Sequence, residues 1–321
     1  MFGTDSPASA ARPGSIRQPA VAGTFYPADA VQCRLQAEHF IGASNNSTGS
    51  GVPGFATTQD VAAELIGAVV PHAGWICSGA IAGLSIAAIA AVRPDVEVVV
   101  VFGAVHTPAP LATAALDSHA AWREPAASCG VAWELRQALA GDGRLFAVND
   151  FFHQREHAVE VVLPLIQAAW PMARVLPVEV PVTLDAMRIG TATARAAQAA
   201  GIRPIYLASS DLTHYGPNYQ FAPAGVGPTG INWAMENDRR LLELVTNMRA
   251  EQIVPEAAAR RSACGPGAIA AMLAACMEHG AKHARLLKHT NSFQVLQSVA
   301  TPFAKPSPDN SVGYAAVVVG K

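Results

Sequence analysis

The chain has 321 residues, of which 51% are hydrophobic and only 14% are charged, and its formal net charge is -2. This composition is typical of a folded protein with a large buried core and argues against a disordered chain. No long run of Lys or Arg is present, so we expect neither nucleic acid nor an anionic membrane as a partner. The start of the chain lacks a secretory signal pattern, and no apolar stretch reaches the length of a transmembrane helix.

The five cysteines are odd in number and widely scattered, and none forms a C-x-x-C pair. Their spacing predicts neither a disulfide framework nor a zinc ribbon. A reducing, cytoplasmic location is the simplest interpretation. Four of the five are predicted to pack as small hydrophobic side chains, namely Cys33, Cys77, Cys129 and Cys276.

From residue 65 onward, short β-branched runs alternate with Ala- and Leu-rich stretches of helical length. This alternation predicts an α/β fold with a central, mainly parallel or mixed sheet flanked by helices. In chain order the sequence predicts a strand at 65–70, a helix at 79–92, a strand at 96–104 buried on both faces, helices at 129–140 and 156–170 (the second kinked at Pro164), a strand at 173–180, a helix at 184–200, a strand at 203–210, three helices within 231–279, and closing strands at 284–290 and 313–320.

Three segments are rich in flexible or turn-forming residues: 1–15, 42–54 and 217–230. None of them separates two halves of comparable composition, and no internal repeat of solenoid length is present. We therefore predict a flexible N-terminal arm at 1–15, followed by a single domain over residues 16–321.

Ionisable side chains follow three of the predicted strands at their carboxyl ends. His72 follows the first strand, His106 follows the second, and Asp211 and His214 follow the strand at 203–210. In open α/β sheets, ligands bind beyond the carboxyl ends of the strands. One such histidine alone is more often only a hydrogen-bonded residue, but three such positions in a weakly charged chain favour one shared site. The remaining histidines lack this setting and are predicted to be structural or exposed: His39, His119, His153, His279, His283 and His289.

Cys264 precedes a Gly-Pro pair and an Ala-rich segment, which predicts that it lies at or just before a helix N-terminus. The positive end of the helix dipole would favour the thiolate, a metal ligand or a nucleophile. His157 and Glu160 are three residues apart on the predicted helix at 156–170 and would share one face. They could project together into a cleft, although this spacing is also common on solvated helix surfaces.

Seven segments together resemble the Memo family, in family order and over roughly residues 16–320. They are VAGTFYPAD at 21–29, PHAGWICSG at 71–79, FGAVHTP at 102–108, EHAVEVVLP at 156–164, SSDLTHYG at 209–216, CGPGAIAAML at 264–273 and SVGYAAVVV at 311–319. Bacterial and archaeal members of this family are called AmmeMemoRadiSam system protein B. The resemblance implies a Memo-like domain, similar in fold to the class III extradiol ring-cleaving dioxygenases, which are non-haem iron(II) enzymes.

The resemblance also implies residue roles. The family's metal ligands match His72, His106 and Cys264, and its other pocket positions match Asp211, His214, His157 and Glu160. One motif departs from the family pattern E-H-S-x-E-x-[HQ]-L-P, because Ala158 and Val162 replace the serine and the last polar residue. This change reduces the polar lining and argues against a proton relay through that segment.

Two imidazoles and a thiolate predict one bound metal ion. Iron is expected first. Copper and zinc are alternatives, because sulfur in place of a carboxylate shifts the preference toward softer ions. The leading hypothesis is a dioxygenase-like or other redox metalloenzyme, in which Asp211 and His214 do not bind the metal but support its ligands or act as acid-base residues. A metal-free hydrolase would instead use Cys264 as nucleophile, His214 as base and Asp211 as orienting group.

A third hypothesis is a non-catalytic binding or scaffold protein, since eukaryotic Memo proteins are described as effectors in cell motility signalling and a fold does not fix a function. The expected partner is an unknown small-molecule or peptide ligand. The family name implies a pathway link to a radical SAM protein. The apolar composition is compatible with a homodimer.

Overall fold

The computed structural model describes residues 14–48, 64–299 and 306–321. Within these ranges the α-helices are α1 (Ala30–Thr48), α2 (Trp75–Ala90), α3 (Trp133–Ala140), α4 (Leu163–Ala169), α5 (Ala186–Ala199), α6 (Pro228–Thr246), α7 (Ala250–Arg260), α8 (Pro266–Glu278) and α9 (Ser292–Ser298). The strands are β1 (Ile16–Arg17), β2 (Leu65–Val70), β3 (Val98–Gly103), β4 (Ala114–Leu116), β5 (Ala121–Arg123), β6 (Ser128–Gly130), β7 (Phe146–Val148), β8 (Arg174–Glu179), β9 (Ile205–Ser209), β10 (His214–Tyr215), β11 (His283–Asn291) and β12 (Ser311–Gly320).

One large mixed sheet organises the protein. Its strand order is β10-β12-β2-β9-β3-β8-β4-β7, and β11 pairs with β12. The central strands β2, β9, β3 and β8 are all parallel, whereas β12 is antiparallel to β2 and β4 is antiparallel to β8. A small second sheet has the order β1-β5-β6. The predicted α/β fold, with a mixed sheet flanked by helices, is confirmed.

Strand β3 shows why the sheet is covered on both faces. Its run of valines is fully buried, and alternate side chains enter two separate cores. Val98, Val100 and Phe102 pack in the core that includes helices α5, α7 and α8. Val99 and Val101 pack in the core that includes α1, α2 and α4. An uninterrupted β-branched sequence is what a strand buried on both faces requires.

Two of the helix predictions are partly wrong, because each places the start of the helix too early in the chain. Residues 129–140 were expected to form one helix, but Ser128–Gly130 pairs with β5 as a strand, and the helix begins only at Trp133. The predicted helix at 156–170 begins at Leu163, after a single 3-10 turn at Glu160–Val162. Pro164 therefore lies in the first turn of α4, where a missing N–H is tolerated, and causes no kink.

The segment before α4 is non-helical for a local reason. The carboxylate of Glu156 accepts hydrogen bonds from the backbone N–H groups of His157 and Ala158. Such side chain to backbone bonds compete with helix formation.

The loop-rich segments were predicted only in part. Helix α1 continues to Thr48, so residues 42–48 are helical although a flexible segment was expected at 42–54. Most of the predicted N-terminal arm, and residues 49–54, lie outside the described residues. No helix among the described residues combines the length and hydropathy needed to span a bilayer.

Candidate metal centre

Parallel strand pairing brings the predicted site residues to one edge of the sheet. Strands β2, β9 and β3 are adjacent and parallel, so their carboxyl ends lie side by side. His72 follows β2, His106 follows β3, and Asp211 follows β9. Cys264 reaches the same place from the loop that precedes α8.

The three side chains predicted as metal ligands are in contact. The rings of His72 and His106 are 5.1 Å apart between centroids and nearly perpendicular, at 86°. The Sγ atom of Cys264 lies 3.3 Å from Nε2 of His72, and the thiol is near enough to His106 to influence the pKa of that imidazole. His72 is buried, whereas the side chain of His106 is 31% exposed. The cluster is therefore open to solvent on the His106 side.

A third imidazole lies beside this pair. The ring of His157 is 4.5 Å from that of His106 and 5.4 Å from that of His72, and Phe25 packs on it at 4.8 Å. Each of the three histidines offers a ring nitrogen, and these nitrogens lie within 4.8 Å of one another. The geometry thus offers one set of three mutually close donors, His72, His106 and His157, and a second candidate donor set in which Cys264, which contacts Nε2 of His72, replaces His157.

Hydrogen bonds fix the orientation of both shared imidazoles. Nδ1 of His72 is 3.0 Å from the Oγ atom of Ser209, and Ser209 uses its own hydroxyl hydrogen on the carbonyl of Ala158. Ser209 must then accept from Nδ1–H, so the lone pair of His72 is on Nε2, which lies 3.3 Å from the sulfur of Cys264. Nδ1 of His106 lies 2.8 Å from Oε1 of Glu156, and an ionised carboxylate can only accept. Such outer hydrogen bonds are the usual way to orient a metal-binding histidine.

The electrostatics of the two imidazoles differ. Burial, followed by the nearby histidines, holds the pKa of His72 well below its usual range, so this ring is neutral. For His106 burial acts in the same direction, but its contacts with Cys264 and Glu156 outweigh it and raise the pKa to about 10. Burial also opposes ionisation of Glu156, yet the contacts with His106 lower its pKa to about 2. Glu156 is therefore a carboxylate at neutral pH.

The expectation that the helix N-terminus makes Cys264 a thiolate is wrong for the protein without metal. Burial is the largest influence and raises the pKa of this thiol, although contact with His106 opposes it. A bound cation would be needed to favour the thiolate. Low-dielectric surroundings thus outweigh a helix dipole here.

Asp211 connects two of the predicted ligands. Its Oδ1 atom accepts a 2.8 Å hydrogen bond from the backbone N–H of His72, and its own N–H donates to the sulfur of Cys264 at 3.3 Å. Burial raises the pKa of the Asp211 carboxyl to about 7. Nε2 of His214 is 3.9 Å from Oδ2 of Asp211, too far for a hydrogen bond. Nε2 of His214 is buried and has no partner among the described residues.

These contacts do not form the triad of a cysteine hydrolase. Among the described residues, no hydrogen bond joins Cys264 to His214, and the imidazoles that contact the sulfur are those of His72 and His106. Burial and the charge of His106 also lower the pKa of His214 to about 4. A base with this pKa would take a proton from a thiol only weakly.

Glu160 does not accompany His157 into a cleft, because the two residues do not share a helix face. The carboxylate of Glu160 is fully buried and forms a 2.5 Å ion pair with Arg17. It also accepts hydrogen bonds from the N–H groups of Ala20 and Val21. Glu160 therefore anchors the N-terminal segment through Arg17, which is 143 residues away in the sequence.

Glu156 and Ser209 were missed by the sequence analysis. Both lie inside quoted motifs, Glu156 directly before His157 and Ser209 at the end of β9. The sequence analysis placed Glu156 in a helix at 156–170, and this prediction gave no reason to expect its contact with His106. No local signal pairs either acceptor with its histidine, because Glu156 is 50 residues from His106 and Ser209 is 137 residues from His72.

A second group of potential ligands lies elsewhere on the sheet. Asp117 follows β4 and Asp150 follows the parallel strand β7. Together with His119 they place ligand atoms within 4.8 Å of one another. Because β4 is antiparallel to β8, its carboxyl end points in the opposite direction to those of the central strands.

Comparison with known proteins identifies the family of this chain. The family model described as Memo-like protein matches residues 17–318. A MEMO1 family protein from Methanococcoides burtonii is 31% identical over 95% of this chain and 100% of its own length, and one from Methanosarcina barkeri is 31% identical over the same shares. A crystal structure of an uncharacterized protein, JW3007 from Escherichia coli K12, is similar with a TM-score of 0.45 and 12% identity, covering 80% of this chain and 100% of the other. On the family match and the full-length relatives, this chain belongs to the Memo family.

Proposed function

We propose that this protein binds one metal ion through His72, His106 and Cys264 and uses it in a redox reaction on a small molecule. The observation that supports this most directly is the orientation of the two imidazoles. In each, Nδ1 is bonded to a fixed acceptor, and Nε2 of His72 faces the sulfur of Cys264. Three donors that meet in this way are typical of a metal site with open coordination positions.

The donor chemistry fits iron, copper or zinc. We take iron as the first expectation, with copper and zinc as alternatives, because two histidines and one further ligand are typical of non-haem iron(II) oxygenases. Bound iron would supply redox chemistry and sites for substrate and dioxygen. The exposed side of His106 leaves room for them.

The chain's own residues would orient the substrate and accept its protons. His157 and His214 are neutral at pH 7, since burial lowers the pKa of each to about 4. As neutral imidazoles, both can accept a proton on a ring nitrogen. Asp211 holds the backbone of His72 and the sulfur of Cys264 in place and would preserve the ligand geometry. Glu160, which anchors Arg17, takes no part in this proposal.

A reducing, cytoplasmic setting is part of the proposal, because all five cysteines are free and Cys264 must remain reduced to bind metal. A pathway shared with a radical SAM protein remains a proposal from the family name. A peptide ligand and a homodimer were also expected and are left to experiment.

The first experiment is elemental analysis of protein purified without added metal, combined with oxygen uptake in the presence of catechol. We expect roughly one metal per chain and metal-dependent oxygen consumption. Bound metal with no turnover on any tested substrate would favour a binding protein. A wild-type chain that retains no metal after reconstitution with iron, copper or zinc would contradict the proposal.

A further inference from the structure

A cavity of about 350 Å³ opens beside the candidate metal centre. Cys264 and His214 form the wall nearest the metal ligands, and Arg261 lies on the same cavity. Its remaining lining is small and apolar, including Val182, Leu212, Ala257 and Pro266. Among the described residues that line it, Arg261 is the only one with a permanent charge, and none is acidic.

The backbone of Arg261 is unusual for an arginine. It caps the C-terminus of α7 with φ 54° and ψ 40°, in the left-handed region. Gly is the common residue at such a position, because a side chain is strained there. Strain of this kind is often tolerated where a side chain has a function. Arg261 is also only three residues from Cys264.

The guanidinium group is held in place before any ligand arrives. Nη1 donates to the carbonyl of Gln220 at 3.3 Å, and Nη2 donates to that of Tyr219 at 3.2 Å. The group also stacks on the ring of Phe221, 4.6 Å from its centroid. A guanidinium carries more N–H groups than these two bonds use. A fixed cation with spare donors loses little entropy when it binds an anion.

The surroundings of the cavity favour negative charge in a ligand. Pro266, which lines the cavity, is the first residue of α8, so the positive end of that helix dipole faces the same region. A carboxylate matches the planar guanidinium and needs only two donors. A phosphate dianion would require more donors than an arginine already bonded to two carbonyls provides.

We propose that this cavity binds a small organic carboxylate, with the anionic group on Arg261 and the apolar body against Val182 and Leu212. Arg261 is then a specificity-determining residue that holds the substrate beside Cys264 and His214. The inference rests on the proposed function, because it takes the cavity to be the substrate side of the metal centre. A purely structural Arg261, which only ties down residues 219–221, is the competing explanation.

The test is isothermal titration calorimetry with matched pairs of ligands. Benzoate, phenylacetate and 3-phenylpropanoate are each compared with the corresponding neutral amide, in metal-free and in iron-loaded protein. We expect at least one carboxylate to bind about tenfold to hundredfold more tightly than its amide. No preference for any of the three carboxylates in either form of the protein would overturn the inference.

Two variants separate recognition from structure. Arg261→Gln removes the charge, and Arg261→Gly removes the side chain while relieving the left-handed backbone. We expect both to fold and to lose the preference for carboxylate, whereas the exposed neighbour Arg260→Gln keeps it. A carboxylate preference that survives in Arg261→Gly would refute the role of Arg261.

A further ligand tests the role of the metal separately from the carboxylate preference. The 3,4-dihydroxy form of 3-phenylpropanoate should bind more tightly than the parent compound only in the iron-loaded protein. If the hydroxyl groups add nothing but the carboxylate preference depends on Arg261, the anion site stands and the proposed redox function fails.

Discussion

Two clusters of ionisable side chains follow parallel strands in this protein, and they differ in what their polar atoms contact. In the cluster of His72, His106 and His157, the Nδ1 atoms of His72 and His106 are bonded outward, to Ser209 and Glu156. In the cluster of Asp117, His119 and Asp150, the polar atoms bond to near neighbours. His119 and Trp122 occupy the two oxygens of Asp117, and Ser118 occupies both oxygens of Asp150.

The comparison shows that proximity alone does not make a ligand set. Both clusters bring their ligand atoms within 4.8 Å of one another. The first holds each of these Nδ1 atoms on an acceptor outside the cluster, so the other ring nitrogens can bind a cation that displaces a proton or a thiol contact. In the second, the carboxylate oxygens already accept hydrogen bonds with which a cation would have to compete. We therefore interpret the second cluster as structural, in line with the sequence prediction for His119.

The double variant His72→Ala/His106→Ala should give the largest effect, since it removes both imidazoles common to the two donor sets. We expect metal content, measured by elemental analysis, to fall from roughly one per chain to near zero. His119→Ala, in the second cluster, should leave the metal content unchanged, and so should the exposed His283→Ala. Full retention of metal in the double variant would show that the cation binds elsewhere.

Cys264→Ser and His157→Ala decide between the two donor sets. Cys264 is 3.3 Å from Nε2 of His72, so we expect its substitution to weaken metal binding by more than about 100-fold, beyond the usual effect of an outer partner. His157→Ala should change the affinity by less than about tenfold. Competition with a chromogenic chelator measures both. The reverse order would identify His157 as the third ligand.

Glu156→Gln and Asp211→Asn test the groups that hold the ligands in position. Each keeps the side-chain size but removes the charge, so we expect metal affinity or activity to fall by about 10 to 100-fold, a milder loss than in His72→Ala. Circular dichroism should show that the fold is retained. An effect as large as that of His72→Ala would indicate direct participation in binding or catalysis.

The smallest expected effect is a pH-dependent change in stability at the second cluster. Contact with Asp117 raises the pKa of His119, and for Asp117 burial is outweighed by His119, so its pKa is lowered. The contribution of His119 is complete below its ordinary value of 6.5 and is lost as the pH rises through the folded pKa. That of Asp117 is present above 3.8 and is lost as the pH falls through its folded pKa.

The ion pair of His119 and Asp117 should therefore stabilise the protein most between pH 3.8 and pH 6.5, the ordinary pKa values of the two groups. We expect His119→Gln to lower the free energy of unfolding by about 1 kcal/mol at pH 5.5 and by less at pH 9. Urea denaturation at both pH values measures the difference, with His283→Gln as the exposed control. An equal loss at both pH values would show that the ion pair contributes nothing.

Local sequence pattern predicted the centre of the fold well and its margin poorly. The valine run of β3 and the strand ends at His72 and His106 could be identified, because burial on both faces and parallel pairing leave clear patterns. The three-residue strands β4, β5, β6 and β7 were missed. Strands this short carry no periodicity, and they form because their neighbours offer backbone partners.

The site followed the same division. His72, His106 and Cys264 could be placed from the elements beside them, and in the structure His72 contacts both Cys264 and His106. The contacts of Glu156 and Glu160 could not be predicted. Those of Glu156 depend on the direction of its side chain, and those of Glu160 depend on Arg17, which is distant in sequence. The protonation state of the Cys264 thiol could not be predicted either, since its pKa depends mainly on burial by the folded chain.

Strand β12 has a consequence for how the protein is made. All ten of its residues are buried, and it pairs with β2 as well as with β10 and β11, although β2 lies far earlier in the sequence. During synthesis this edge of β2 must remain open until residues 311–320 have left the ribosome. We expect nascent chains that lack β12 to expose a long apolar edge and to depend on chaperones.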